Sequence, residues 1–300
     1  MPASNTQYRG RFAPSPTGPL HLGSLIAALA SYLDARVNDG TWLVRMEDLD
    51  PPREEPGAAR RILHSLQQHG LHWDEPVLWQ GARSHAYAAA LDTLAAQGQL
   101  FFCDCTRAML GPGGACRGRC MNRQTDVTPP RATRVMVPRD CQICFTDRIQ
   151  GQQRTALGKQ LPDFVVKRKD GLDAYQLAVV VDDAEQAINQ IVRGSDLLDS
   201  TPRQIFLQQL LAYPTPRYCH LPVITNTQGQ KLSKQNHAPA LDDTAAPSNL
   251  RRALRFLRQA EPPAELASVD RILSFAAAQW APQQIPATLA VPAWNPGNYS

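Results

Sequence analysis

Apolar positions along the first hundred residues switch between two periods. Tyr8 to Ala13 predicts a short strand, and Leu22, Leu25, Ile26, Leu29 and Leu33 then share one face of a helix ending near Gly40. "TWLVRM", Thr41 to Met46, predicts a second strand, apolar enough to be buried on both faces, that runs into the acidic "EDLD". Ile62, Leu63 and Leu66 mark a helix closed by Gly70; Tyr87, Leu91 and Leu94 mark another, opened by Ser84 and closed by Gly98. Strand, helix, strand and further helices predict a doubly wound α/β domain.

The periodicity breaks from Phe101 to about Arg131, where Cys, Gly, Arg and Pro displace the apolar residues, so an insertion is expected there. Strands are expected again in "DFVVKR", "AYQLAVVVDD" and "INQIVRG", followed by a helix in "TPRQIFLQQLLA" with Thr201 as cap and Pro202 at its first position. After "HLPVIT" comes the loop "GQKLSKQN", and from Ser248 short helical patterns lead to a Pro-rich stretch, Pro282 to Pro296. The expected division is 1–100 and 161–235 for the two halves of the α/β domain, 101–160 for the insertion and 236–300 for a short, mainly helical region. No internal repeat is evident.

Composition narrows the class. The 300 residues are 43% hydrophobic, which suits a globular protein with a substantial core. A net charge of +4 is too small to mark a nucleic-acid surface, so any such surface must come from local clustering. The polar start, Met1 to Gln7, lacks a signal-peptide pattern and no apolar run approaches membrane-spanning length, so a soluble cytoplasmic protein is expected. Seven cysteines, four of them between Cys103 and Cys120, suit a reducing compartment and a metal better than a disulfide framework.

Three stretches carry candidate chemistry. "RFAPSPTGPLHLGS", Arg11 to Ser24, joins the end of the first strand to a helix N-terminus, where open α/β sheets bind ligands and where backbone N–H groups favour a phosphate. Its spacing matches neither common glycine-rich nucleotide loop. Pro14 and Pro16 stiffen the turn, Gly18 permits close approach, and His21, Gly23 and Ser24 open the helix; alone, His21 is equally a packing residue. The loop Lys231-Leu232-Ser233-Lys234 places two lysines around a serine, a set that can neutralise charge developing at phosphorus, although alone it is also an ordinary solvated turn. Cys103, Cys105, Cys116 and Cys120 form C-x-C-x10-C-x3-C around a Gly-rich turn and suit tetrahedral, structural Zn²⁺, with Cys141 and Cys144 as a competing C-x-x-C pair.

With these residues in view, the chain resembles the class I aminoacyl-tRNA synthetases, whose paired signatures are written HIGH and KMSKS. Here they read "HLGS" and "KLSKQ", departing at Ser24 and Gln235. The extended "RFAPSPTGPLHLGS" is similar to the version in the glutamyl and glutaminyl branch, and the resemblance covers roughly Arg9 to Gln235. It implies a Rossmann-type doubly wound parallel sheet with a zinc-containing, acceptor-binding-like insertion. It implies that Arg11, Ala13, Ser15, Glu47, Tyr175 and Arg193 hold glutamate, with Glu47 meeting the amino group. It further implies that His21, Gly23, Ser24, Lys231, Leu232, Ser233 and Lys234 bind ATP with Mg²⁺, with His21 and Lys234 acting in catalysis.

Only 66 residues follow Lys234, too few for the anticodon-binding domain of full-length glutamyl enzymes. The chain thus resembles the paralogues of this branch that lack that domain. These activate glutamate with ATP, without tRNA, and transfer it from glutamyl-adenylate to the queuosine at the wobble position of tRNA(Asp). The implied partners are ATP, L-glutamate and queuosine-containing tRNA(Asp), with no membrane and a monomeric chain. Arg251, Arg252, Arg255 and Arg258 along one helical stripe, and Arg117, Arg119 and Arg123 around the cysteines, are the candidate phosphate contacts, a solvated face being the alternative for the first group. Two rivals stay open: a truncated glutamyl-tRNA synthetase acting on the 3′ terminal ribose, and a catalytically silent synthetase-like RNA-binding protein.

Overall fold

The structure, a computed structural model, describes residues 7–226 and 239–292. In chain order the first half comprises β1 (Arg9–Phe12), α1 (Leu22–Arg36), β2 (Thr41–Met46), α2 (Ala58–Gln68), β3 (Leu78–Trp79), α3 (Ser84–Ala96), β4 (Leu100–Cys103), β5 (Ala132–Met136), β6 (Ile143–Asp147) and β7 (Gly151–Thr155). The second half comprises α4 (Leu157–Gln160), β8 (Asp163–Lys167), α5 (Tyr175–Glu185), β9 (Gln190–Gly194), α6 (Thr201–Leu210), β10 (Arg217–Leu221), β11 (Val223–Thr225), α7 (Ala246–Phe256), α8 (Val269–Ala278) and β12 (Ala290–Pro292).

Seven strands form the central sheet in the order β3-β2-β1-β9-β10-β6-β7. Every pair is parallel except the β6–β7 hairpin at one edge. β2 is buried from Trp42 to Met46, as a strand covered on both faces must be. On one face, α1 packs Leu25, Leu29 and Leu33 with Leu250 and Leu254 of α7 and Ile272 of α8. On the other, Leu43 meets Tyr87 and Leu94 of α3, Leu177 and Val180 of α5, and Phe206 of α6. This is the expected doubly wound α/β architecture.

A separate antiparallel sheet, β4-β5-β8, carries the cysteine-rich segment. A third, parallel pair joins β11 to β12. No helix among the described residues is long and apolar enough to cross a membrane.

One expected strand is a helix. "AYQLAVVVDD" folds as α5, with Leu177 to Val181 buried. An unbroken apolar run has no visible period, so it fits a buried strand and a helix enclosed by its neighbours equally well. Helix α1 ends at Arg36 rather than near Gly40, because Asp39 takes a left-handed φ of 48° that turns the chain toward β2; Gly40 then passes close to Tyr8, where an added Cβ would lie 2.7 Å from the ring.

Candidate functional site

The order β2-β1-β9-β10 places a crevice at the carboxyl ends of β1 and β9, where connections leave in opposite directions. A cavity of about 490 Å³ lies there. Its walls come from the turn after β1 (Pro14, Ser15, Thr17), the start of α1 (His21, Gly23, Ser24), the residues after β9 (Gly194, Asp196), and Val223 and Ile224 of β11.

His21 is the N-cap of α1 rather than a residue of its first turn. Its Nδ1 accepts from Ser24 N at 3.2 Å, while Ser24 Oγ accepts from His21 N at 3.4 Å. A neutral ring accepting at Nδ1 carries its proton on Nε2. The departure at Ser24 therefore closes a reciprocal cap, a task open to a hydroxyl at the third helical position. A Cβ on Gly23 would lie 3.1 Å from His21 Cε1 and 3.3 Å from Ile224 Cγ2, so glycine preserves the ring's position.

A buried set of charges sits beside this turn. Arg11 Nε and Nη2 reach the two oxygens of Asp183 at 3.0 and 3.3 Å. Arg45 Nη1 binds Asp183 Oδ1 at 2.7 Å and Gln186 Oε1 at 3.0 Å, and its Nη2 lies 3.5 Å from Glu47 Oε1. Burial opposes the charged form of Asp183, but Arg11 and Arg45 outweigh it and hold the carboxyl below its ordinary range. For Glu47 burial wins over the same two arginines and pushes the carboxyl up. Burial also raises the Tyr175 phenol, with Arg193 and Arg11 opposing and Glu47 reinforcing, so these four side chains share one electrostatic environment.

Arg193 forms neither of the ion pairs available to it in sequence, with Asp196 or Asp199. It donates from Nε to His220 Nε2 at 3.1 Å and from Nη2 to Thr201 Oγ1 at 2.8 Å, and its buried Nη1 has no hydrogen-bond partner among the described residues. A buried guanidinium nitrogen left open is suited to an incoming carboxylate. The fold thus brings Arg11, Glu47, Tyr175 and Arg193 together next to a cavity lined by Ser15, His21, Gly23 and Ser24, and Ala13 follows directly on β1. Lys231, Leu232, Ser233 and Lys234 lie outside the described residues. On one flank Ile224 lines the cavity, and on the other Ala240 bridges to His21 and Leu241 N donates to Leu20 O at 2.9 Å.

Sequence reasoning missed Asp183, Arg45 and His220. Arg45 left a signal, a charge inside an otherwise apolar strand. Asp183 left a weaker one, acids closing an apolar run.

In the cysteine segment, Cys103, Cys105, Cys116 and Cys120 are buried, with their Sγ atoms all within 4.8 Å of one another. Zn–S bonds of about 2.3 Å in a tetrahedron need S···S separations just under 4 Å, so this donor set fits such an ion. Cys141 is half-buried and Cys144 exposed, and neither joins the group. Asp163 braces the loop by accepting from Cys116 N and Arg117 N, each at 2.8 Å, while pairing with Arg134.

The arginine stripe is only partly available. Arg251 donates to the carbonyls of Pro262, Pro263 and Leu266, and Arg255 pairs with Glu261. Arg258 lies beyond the end of α7 with φ of 53°, leaving exposed Arg252 as the helix position with no such internal clamp among the described residues. Around the cysteines, Arg117 and Arg119 are exposed and Arg123 pairs with Asp104.

This crevice, with its cap and buried arginines, accords with the family to which the sequence belongs. Residues 7–113 and 115–255 match the family of class I tRNA synthetases (E and Q), catalytic domain, and the chain is a member of it. A glutamyl-Q tRNA(Asp) synthetase of Thiobacillus denitrificans is 54% identical over 92% of this chain and 94% of its own length. One of Pseudomonas fluorescens is 51% identical over 97% of each. With these relatives, the chain belongs to the glutamyl-Q tRNA(Asp) synthetase family. The crystal structure of a glutamate tRNA ligase from Elizabethkingia meningosepticum, in complex with its amino acid, shares the fold with a TM-score of 0.78 at 23% identity, covering 96% of this chain and 67% of that one.

Proposed function

We propose that the protein activates L-glutamate with ATP, without tRNA, and transfers it from glutamyl-adenylate to the queuosine at the wobble position of tRNA(Asp). The observation that carries this reading is near full-length agreement, at 54% and 51% identity, with relatives named for that activity. In this reading the α-carboxylate of glutamate attacks the α-phosphorus of ATP and pyrophosphate leaves. The chain's part is positioning and charge stabilisation.

Arg11, Ala13, Ser15, Glu47, Tyr175 and Arg193 hold the amino acid, with Glu47 facing its ammonium group. His21, Gly23 and Ser24 meet ATP at the start of α1, and Lys231, Leu232, Ser233 and Lys234 bind it as well. Arg11 contributes charge although Asp183 engages it, since Arg11 and Arg45 together offset Asp183 and leave one positive charge against Glu47. Mg²⁺ accompanies ATP, and the four cysteines hold one structural Zn²⁺, which would cross-link a loop otherwise short of apolar core. The protein is cytoplasmic and monomeric in this proposal, and Arg117, Arg119 and Arg252 are the arginines best placed for RNA phosphates.

The test incubates the protein with labelled glutamate, ATP and tRNA(Asp) prepared with and without queuosine. Label is expected on the queuosine-containing tRNA alone. Acylation independent of queuosine, or a requirement for tRNA(Glu), overturns the proposal.

A further inference from the structure

Three adjacent parallel strands set a row of polar side chains across the buried sheet. The register pairs Arg193 of β9 with His220 of β10, and Tyr218 of β10 with Asp147 of β6. Asp147 Oδ2 lies 2.6 Å from His220 Nδ1, and His220 Nε2 lies 3.1 Å from both Arg193 Nε and Thr201 Oγ1. His220 and Thr201 are fully buried, and Asp147 is 2% exposed.

The direction of these bonds follows from the donors. A guanidinium only donates, so His220 Nε2 must accept and the ring proton sits on Nδ1, donated to Asp147. Asp147 is itself fixed by the backbone N–H groups of Ile149 at 3.0 Å, Gln150 at 2.8 Å and His220 at 3.1 Å. Burial and Arg193 both disfavour the imidazolium, against the pull of Asp147, and the net effect lowers the His220 pKa. That keeps the acceptor lone pair in place.

We infer that His220, oriented by Asp147, and Thr201 are positioning residues for Arg193: they occupy Nε and Nη2 so that Nη1 meets a carboxylate of the amino-acid substrate in a fixed geometry. The inference rests on the reading of Arg193 as part of the glutamate site. A guanidinium held at two nitrogens has lost its rotamer freedom before substrate arrives, which favours affinity and discrimination over the chemical step.

The experiment measures glutamate-dependent ATP–pyrophosphate exchange, with KM for glutamate and for ATP determined separately, in Arg193→Ala, His220→Phe, His220→Gln and Thr201→Val. Arg193→Ala sets the scale with a glutamate KM raised about a hundredfold, the upper end of the loss expected for a hydrogen bond to a charged group. His220→Phe removes the acceptor and is expected to raise glutamate KM about ten- to a hundredfold with ATP KM within about twofold. His220→Gln offers an amide oxygen to Arg193 Nε and is expected to recover most of that loss. Thr201→Val, the mildest change in volume, raises glutamate KM several-fold and decides the matter if His220→Phe does not fold.

A normal glutamate KM in His220→Phe or Thr201→Val, beside a raised one in Arg193→Ala, overturns the positioning role and leaves the site reading intact. Equal losses in His220→Gln and His220→Phe overturn it too, because packing rather than an acceptor would then matter. A normal KM in Arg193→Ala overturns the site reading, and this inference with it.

Discussion

Asp163→Asn is expected to weaken metal binding at the cysteine group without touching a ligand. The carboxylate is 1% exposed, accepts from Cys116 N and Arg117 N at 2.8 Å, and neutralises Arg134, itself 2% exposed. Asparagine keeps one oxygen and turns an NH₂ toward a donor, so one charge-assisted hydrogen bond, worth about 1.5–3 kcal/mol, is lost outright. Arg134 also becomes a buried cation without a counter-charge, and breaking such a pair costs about 3–5 kcal/mol in all. Because Arg134 also donates to Gly114 O, the loss falls on the Gly-rich turn that brings Cys116 back toward Cys103. Ordering of that turn is coupled to metal binding, so about 3–5 kcal/mol corresponds to Zn²⁺ affinity lower by about two to nearly four decades. The assay is competition for Zn²⁺ against a chromophoric chelator, parent beside variant, with the double variant Asp163→Asn, Arg134→Met recovering part of the loss. A variant that binds Zn²⁺ within about threefold of the parent refutes the reasoning.

Two further perturbations follow from the same geometry. Asp34 accepts from Tyr8 OH at 2.6 Å, Arg148 Nη2 at 2.9 Å and Trp280 Nε1 at 3.2 Å, so Asp34→Asn should lower unfolding free energy at pH 7 by about 3–5 kcal/mol in a denaturant titration. Burial opposes its ionised form but Arg148, Tyr8 and Trp280 depress its pKa, so this stability is present above the ordinary 3.8 and is lost as pH falls through the folded value; a parent–variant gap that does not shrink below pH 3.8 would contradict this. Gly23→Ala puts a methyl 3.1 Å from the His21 ring, and displacing an N-cap worth about 1 kcal/mol should raise ATP KM about fivefold with little change in melting temperature; an unchanged ATP KM counts against a fixed ring.

What could be read from the chain alone was local. The turn from β1 into α1 announces itself because Pro14, Pro16, His21 and Ser24 act within a few positions of one another, and the four cysteines span 18 residues. The partners of Arg11 were hidden, because Asp183 is 172 positions away and only the packing of α5 on the sheet brings it near. Misreading α5 as a strand had the same root: an enclosed helix and an enclosed strand both lack a polar face. The arginine stripe failed differently, since Arg251 and Arg255 do lie on α7 but are occupied in holding residues 261–266. Arg193 was placed in the site by resemblance, while its neighbour His220 follows from strand register and Thr201 from the packing of α6, neither of which a local pattern encodes.

The pairing of β12 with β11 bears on how the protein is made. Ile224 forms part of the cavity wall, yet its strand partner, Val291, is translated after 66 further residues. At roughly 5–20 residues per second, a nascent chain carries that wall with an unpaired edge for about 3–13 s. The Ile224 side of the crevice is therefore among the last parts to be sealed during synthesis, well after the buried arginine cluster has all its residues synthesised.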